Sequence, residues 1–416
     1  MTVPETLPWY RQLHVQILAA MVLGVILGTI GGEAAGQALG WMGTIFVRLL
    51  RMVIVPLILS SIVSGVTSVG GGRSLGRLGA KTFVYYVSTS TLAILTGLVL
   101  VNLIRPGVGA DLTQQSSAEL PELETPSSLA DIIFRLIPTN PVQAMVEGDM
   151  LAIIFFALLV GVAITHLPEA PRERLRGGFQ DFFEMMMMLT SGVIRLAPLG
   201  VLGLMTRTVG ESGLGAFGAL AMYAVTIVAG LAVHNLVTIP LILSLVGRMN
   251  PITHVRNVSE ALLMAFSTSS SSATLPVTMR CAEQKVGVSN KVASFTLPMG
   301  ATINMDGTAL YECVGVIFIA QVIGFELSIA AQATVVFTAL LASIGAAGIP
   351  SAGLVMIFVV TESVGMTGPE VAAVVGMMLA IDRPLDMLLT ATNVMSDSTG
   401  AAVIARTEGE TQVNAN

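Results

Sequence analysis

Ser267-Thr-Ser-Ser-Ser-Ser-Ala-Thr-Leu-Pro276 interrupts one apolar stretch of the chain, and Ser343-Ile-Gly-Ala-Ala-Gly-Ile-Pro-Ser-Ala-Gly353 interrupts another. Neither flank is long enough for two full membrane crossings, which need about 20 apolar residues each. Each stretch reads as a re-entrant hairpin that enters and leaves on one side. Irregular backbone at membrane depth survives only where protein or a water-filled cavity surrounds it. Each hairpin precedes a helix with polar residues in its middle, so a hairpin–helix unit occurs twice. Paired interrupted segments in corresponding positions point to a transporter binding site. The bland alternative is two serine- or glycine-rich loops outside the membrane.

The rest of the chain supplies the membrane. Its 416 residues are 54% hydrophobic and 11% charged, with a mean hydropathy of +0.82. Soluble proteins carry about 25% charged residues, so too few charges remain to coat a water-facing surface. Apolar segments lie at roughly 12–32, 42–69, 82–104, 149–167, 214–247 and 309–325. No short apolar segment with a small-residue cleavage site opens the chain, so no removed signal peptide is expected. Cys281 and Cys313 lack ligand spacing and the four histidines are scattered, which argues against a tight metal centre. Basic residues cluster at Arg73, Arg77 and Lys81, at Arg172, Arg174 and Arg176, at Arg248 and Arg256, and at Arg280, Lys285 and Lys291. The connection 111–131 instead carries Asp111, Glu119, Glu122, Glu124 and Asp131 without Lys or Arg. Positive residues favour the cytoplasmic side, which puts the basic connections and the N-terminus inside and the acidic loop outside. The run Met185–Met188 reads as packing or lipid-facing surface, because Met is a flexible gap-filler. Arg48 and Arg51 either snorkel or line a wet crevice.

Asp382, Asp386, Thr390, Asn393 and Asp397 fall within about an 80° arc of one helix face. Carboxylates facing lipid are costly, so this stripe must face protein or water. Thr302, Asn304, Asp306 and Thr308 form a second polar cluster, in which Asn, Asp and Gly disfavour regular helix. An unwound turn there frees carbonyls, and hard cations such as Na⁺ prefer oxygen ligands. Tyr86, Thr89 and Ser90 share one face of the third span. Glu312, four residues past Thr308, is a proton-relay candidate inside the membrane.

With these residues in hand, the sequence resembles the dicarboxylate/amino acid:cation symporters, the family of excitatory amino acid transporters, neutral amino acid exchangers and prokaryotic homologues. The likeness covers nearly the whole chain. It is most specific at 267–276, at Asn304-Met-Asp-Gly-Thr308, at 343–353 and from Asp386 to Asp397. It implies an all-α polytopic membrane protein with eight transmembrane helices, two opposed re-entrant hairpins in inverted repeats, a homotrimer and an elevator-type cycle. Scaffold helices would occupy 1–80 and, after an extracellular loop, the rest of 107–212. The transport domain would take helix 3 at 81–106 and then 213–405. Within 213–405, helix 6 comes first, then hairpin 1 at about 253–283, helix 7 at about 292–322, hairpin 2 at about 328–364 and helix 8 at about 369–405. A cytoplasmic tail would span 406–416.

The same resemblance implies site roles. Ser271 and Gly348 would give backbone contacts to substrate, Thr308 and Asn393 would hold an amino acid's carboxylate and backbone, and Asp386 would take the ammonium beside Thr390. Gly300, Asn304, Asn393 and Asp397 would hold one sodium ion. Backbone oxygens of Thr302, Met305, Ser343, Ile344 and Ala346 would hold a second. Tyr86, Thr89, Ser90, Asn304 and Asp306 would hold a third. Two or three sodium ions would move per cycle, across a cell membrane crossed many times, with both termini cytoplasmic. No nucleic-acid partner is expected.

One departure matters. Members carrying acidic substrates have an arginine three residues past the ammonium-binding aspartate, where this chain has Leu389. Some prokaryotic members place an arginine in the first hairpin, where Ser269 stands. Leaving a buried charge unpaired costs about 3–5 kcal/mol, so a small neutral amino acid is expected, with Leu389 shaping the site. The alternative is an acidic amino acid or C4-dicarboxylate coupled to sodium or protons, with Arg383 as the rescuing cation. Glu312 then either couples protons or stays protonated as a hydrogen-bonding group. A channel would share the polar stripe but not solute accumulation. An enzyme is disfavoured, since no HExxH motif occurs and no histidine is expected near the stripe.

Overall fold

A computed structural model describes residues 13–68, 73–110, 137–147, 150–212, 216–345, 351–410 and 413. Every regular element among them is helical. Four helices are long and apolar enough to cross a membrane: Val15–Phe46, Arg77–Ile104, Gly218–Leu245 and Asn290–Val322. The acidic connection 111–131, Ala346 and Gly348 lie outside the described residues, as does the side chain of Arg51.

Helix α1 (Leu13–Ser68) takes in both of the first two apolar segments. Gly32 breaks it at φ 52, ψ −145, a backbone region essentially restricted to glycine. Helix α2 spans Arg73–Ile104, followed by α3 (Pro141–Glu147), α4 (Met150–Thr165), α5 (Glu169–Ile194) and α6 (Ala197–Ser212). Small residues let α1 and α6 approach closely: a Cβ at Gly28 would stand 2.8 Å from the Thr206 carbonyl oxygen. In the methionine run Met186 is buried, whereas Met185 and Met188 are exposed. Leu103, Leu236 and Leu245 also face outward, which suits a lipid surround rather than water.

Helix α7 (Ala216–Val233) continues through a π turn, His234–Thr238, into α8 (Ile239–Leu245). Pro240 accounts for the turn. It lacks an N–H, and its ring clashes with the carbonyl four residues earlier, so the wider turn accommodates it. Asn250 caps α9 (Pro251–Thr268) by accepting from the N–H groups of Ile252 and Thr253 at 2.9 and 3.3 Å. Ser269, left-handed at φ 50, ends α9, and Ser270 caps α10 (Ser271–Cys281), so the first polar tip is a two-residue turn. Across the base of this pair Glu260 meets Arg280 and, at 2.9 Å, Lys285.

Helix α11 (Asn290–Ile303) stops at Asn304 and Met305, whose ψ values of 86 and 62 are not helical, and α12 (Asp306–Val322) starts at once. Helix α13 (Ile329–Gly345) and α14 (Ala352–Ser363) flank the second tip, and α15 runs from Pro369 to Thr407. Helix α12 is buried along nearly its whole length, against α2, α7, α13, α14 and α15. The α11–α12 break therefore opens into the interior of the protein.

Beyond α15 the chain is tied down. Glu408 pairs with Lys81 at 2.5 Å and Arg77 at 2.6 Å, both on α2. Glu410 accepts from the N–H of Ser289 at 2.9 Å, at the start of α11. Hydrogen bonds from Lys81, then Arg77, hold the Glu408 carboxyl below the usual carboxylate range. A depressed carboxylate contributes at neutral pH and loses its contribution as pH falls through its folded-state pKa. Amide exchange over 73–81 is therefore expected to stay slow at pH 6 and to rise only below about pH 4. Glu408→Gln should reproduce that rise at neutral pH; unchanged exchange in the variant would show that the tie does not hold α2.

Candidate cation and substrate site

The α11–α12 break and the start of α14 meet the middle of α15. Asn304 donates to Asp397 Oδ1 at 2.8 Å and to Ser396 Oγ at 3.0 Å. The Gly307 N–H, in the first turn of α12, donates to Asn393 Oδ1 at 2.8 Å, and the Asn393 amide donates to Thr308 Oγ1 at 3.1 Å. Glycine at 307 is required for this approach, because a Cβ there would lie 2.6 Å from the Leu389 carbonyl oxygen. Gly300, near the end of α11, serves the same purpose. A Cβ on it would collide with Asp397 Oδ1 and stand 2.6 Å from the Tyr86 hydroxyl. Gly300, Asn304, Asn393 and Asp397 are thus brought together.

A second knot joins α2 to the break. Ser90 donates to Asp306 Oδ1 at 2.6 Å. Thr89 Oγ1 lies 3.3 Å from both Asn304 Oδ1 and Asp306 Oδ1, yet carries one proton. Oxygen lone pairs therefore outnumber hydroxyl protons in a buried space, a donor set that suits a hard cation. Tyr86 sits beside this knot, but its hydroxyl donates to the Thr296 carbonyl at 2.8 Å rather than to Asp306. Ile344 packs with Tyr86, Met299 and Ile303. Ser343 is buried and donates to Leu340, while Thr302 donates to Met299 and Met305 is buried. Thr302 and Met305 thus stand at the end of α11, and Ser343 and Ile344 at the end of α13, where Ile344 packs on Tyr86.

On the substrate side, Asp386 Oδ2 accepts from the Ser351 N–H at 3.0 Å and lies 3.6 Å from Arg383. Arg383 thus leans toward Asp386 of the stripe, while Asp382 accepts from the Tyr311 hydroxyl at 2.9 Å. Thr390 and Leu389 are buried at 5% and 1% exposure, and Ser271 is buried at the start of α10. Glu312 is fully buried and neither of its carboxyl oxygens has a hydrogen-bond partner.

Asp306, Asp382, Asp386, Asp397 and Glu312 are all buried. Among the described residues, only Asp386 has an arginine or lysine partner, Arg383; Asp306 meets His234, whose ring is charged only when doubly protonated. A buried ionised carboxylate is costly unless it is compensated. Loading cations or protons onto this region is the chemistry that its composition favours.

Two histidines reach polar groups near the site without touching the stripe itself. His254 Nε2 lies 3.4 Å from Ser398 Oγ and Thr399 Oγ1 of α15, which point away from the stripe face. His234, on the π turn, lies 3.1 Å from Asp306 Oδ2. The neighbouring Asn235 donates to Thr392 at 2.7 Å. A polar His–Asn pair inside an apolar run, a few residues before Pro240, was the available signal. The partners stand 72 residues apart in the chain, so spacing alone could not join them. Tyr311 is the other residue that a reading of helix faces passed over.

A family model described as the sodium:dicarboxylate symporter family matches residues 13–407. Excitatory amino acid transporter 3 of Mus musculus is 35% identical over 418 residues, covering 88% of this chain and 78% of its own length. The proton/glutamate-aspartate symporter of Escherichia coli (strain K12) is 34% identical over 409 residues, covering 94% of this chain and 92% of its own length. An excitatory amino acid transporter of Caenorhabditis elegans is 35% identical over 410 residues, covering 87% of this chain and 80% of its own. The protein is accordingly a multi-pass membrane transporter and not an enzyme, its solute moves with cations, and the chain belongs to the sodium:dicarboxylate symporter family.

Proposed function

We propose that the protein is a sodium-coupled symporter or exchanger of a small neutral amino acid. The observation carrying the substrate choice is the buried Leu389, on the polar face of α15 where acidic-substrate relatives would need a guanidinium. Asp386 takes the substrate ammonium, and Thr308 with Asn393 takes its carboxylate beside the N-terminus of α12, an end that favours anions. Sodium enters the Asp397 and Asp306 knots, with a further ion at the backbone oxygens of Thr302 and Met305, which close α11, and of Ser343, Ile344 and Ala346. In this reading α9–α10 and α13–α14 are the two opposed hairpins, the second acting as the outer gate. They move with α2, α7–α8, α11–α12 and α15 as an elevator against a trimeric scaffold of α1 and α4–α6, with both termini cytoplasmic. Glu312 either stays protonated or carries a proton.

A second reading has support from Arg383. Its guanidinium stands beside Asp386 and would offer a counter-charge to an acidic amino acid or dicarboxylate, in keeping with the substrates that the family description and the relatives' names state. Sodium-driven uptake into proteoliposomes, with neutral and acidic amino acids competing, separates the two. Competition by alanine, serine or threonine but not aspartate supports the neutral reading. Preference for aspartate overturns it and turns attention to Arg383.

A further inference from the structure

His234 is absent from the cation sets described above, yet it touches one of them. Its Nε2 lies 3.1 Å from Asp306 Oδ2, and both side chains are wholly buried. The other oxygen of Asp306 faces α2, where Ser90 and Thr89 reach it. The carboxylate is therefore held from two sides by partners of different chemistry. A hydroxyl rotates, so Thr89 and Ser90 can turn a lone pair toward a cation. An imidazole N–H cannot: it only donates. The far ring nitrogen, Nδ1, is buried without a hydrogen-bond partner. A proton there would be an orphaned buried donor, which is costly. A proton on Nε2 instead gives Asp306 one fixed donor on Oδ2.

The backbone explains why the ring is there. The π turn His234–Thr238 widens the helix ahead of Pro240, so His234 meets Asp306 while its neighbour Asn235 reaches Thr392 on α15. Two consecutive polar residues thereby tie one span to both α12 and α15. Isolated π turns recur at functional sites.

We propose that His234 is a positioning residue for the sodium site built on Asp306: it fixes Oδ2 and so aims Oδ1 at the ion between Thr89, Ser90 and Asn304. The inference rests on reading that knot as a sodium site. Groups that orient metal-binding side chains from outside typically contribute 10- to 100-fold in affinity. His234→Ala is therefore expected to raise the half-saturating sodium concentration by at least about tenfold. It should do so both for equilibrium ²²Na⁺ binding to the purified protein and for uptake. Half-saturating substrate at saturating sodium should stay close to the unmodified protein. His234→Gln, whose side-chain amide places a donor at nearly the same reach, should recover most of the sodium affinity.

Three outcomes overturn the proposal: unchanged sodium binding in His234→Ala, equal losses in sodium and substrate affinity, or a folded His234→Gln no better than alanine. Should the alanine variant fail to fold, His234→Leu, which keeps bulk but offers no donor, takes its place: a selective loss of sodium affinity there supports the positioning role, whereas reduced stability without a selective sodium shift overturns it. Asp306→Asn in the same binding assay tests the underlying reading. Unchanged sodium binding there would remove the site itself, whereas lost binding there with an unaffected His234→Ala would remove only the positioning role.

Discussion

Gly300→Ala is expected to lower sodium affinity by on the order of 10- to 100-fold, the range for disturbed metal-site geometry, and to carry uptake down with it. The added methyl would meet Asp397 Oδ1 and stand 2.6 Å from the Tyr86 hydroxyl, closer than a Cβ tolerates. Neither neighbour has room to retreat. Asp397 is held by Asn304 at 2.8 Å, and the Tyr86 hydroxyl is held by the Thr296 carbonyl at 2.8 Å. Overpacking of this kind costs about 1–3 kcal/mol, here concentrated on a carboxylate assigned to an ion. Gly79→Ala on α2 is the matched control. Its Cβ would meet Phe295 at 3.5 Å, an ordinary contact, and alanine improves helix propensity by up to about 1 kcal/mol. A sodium titration of uptake in both variants, alongside a size-exclusion profile, checks the expectation. Wild-type sodium dependence in Gly300→Ala would remove Asp397 from the ion path.

Leu389→Arg should convert selectivity. Leu389 is buried, and the first turn of α12 rests directly on its backbone at Gly307. A guanidinium introduced there is drawn out of water and needs an anion. Asp386 is already engaged by Ser351 and Arg383, and Asp382 by Tyr311 through Oδ1, which leaves Asp382 Oδ2 as a competing oxygen. A substrate side-chain carboxylate would complete the pairing. Leaving one partner of a buried pair alone costs about 3–5 kcal/mol, so aspartate should gain at least about a hundredfold as a competitor relative to alanine. Competition curves against a fixed tracer measure this ratio. An unchanged ratio in a folded variant would mean that position 389 does not face the substrate side chain.

The helical class was legible in the sequence because hydropathy and scarce charge leave little else. The stripe from Asp382 to Asp397 was legible because helical periodicity puts carboxylates on one face, and the structure turns that face toward α12 and α14. Asn304 and Met305 break the helix as Asn, Asp and Gly in succession suggest. Pairings across the chain were not legible. Nothing in the spacing joins His234 to Asp306, Tyr311 to Asp382, or Glu410 to Ser289. Each depends on how helices are set side by side, and for His234 also on a π turn that shifts the helix phase ahead of Pro240. The arginine question was only half legible. Arg383 lies just beside the stripe by helical angle, and rotamer and helix setting decide that it reaches Asp386.

The shortage, among the described residues, of cationic side chains around Asp306, Asp382, Asp386 and Asp397 bears on leakage. Drawing an uncompensated ion into a low-dielectric interior costs several kcal/mol even after relaxation, and each 1.4 kcal/mol slows a step about tenfold. A moving domain that holds too few positive charges would thus be braked by its own carboxylates. In the elevator reading proposed above, those carboxylates would act as a clutch: electrostatics would disengage the under-loaded domain without any mechanical latch, and the residues left unneutralised would set the stoichiometry of transport.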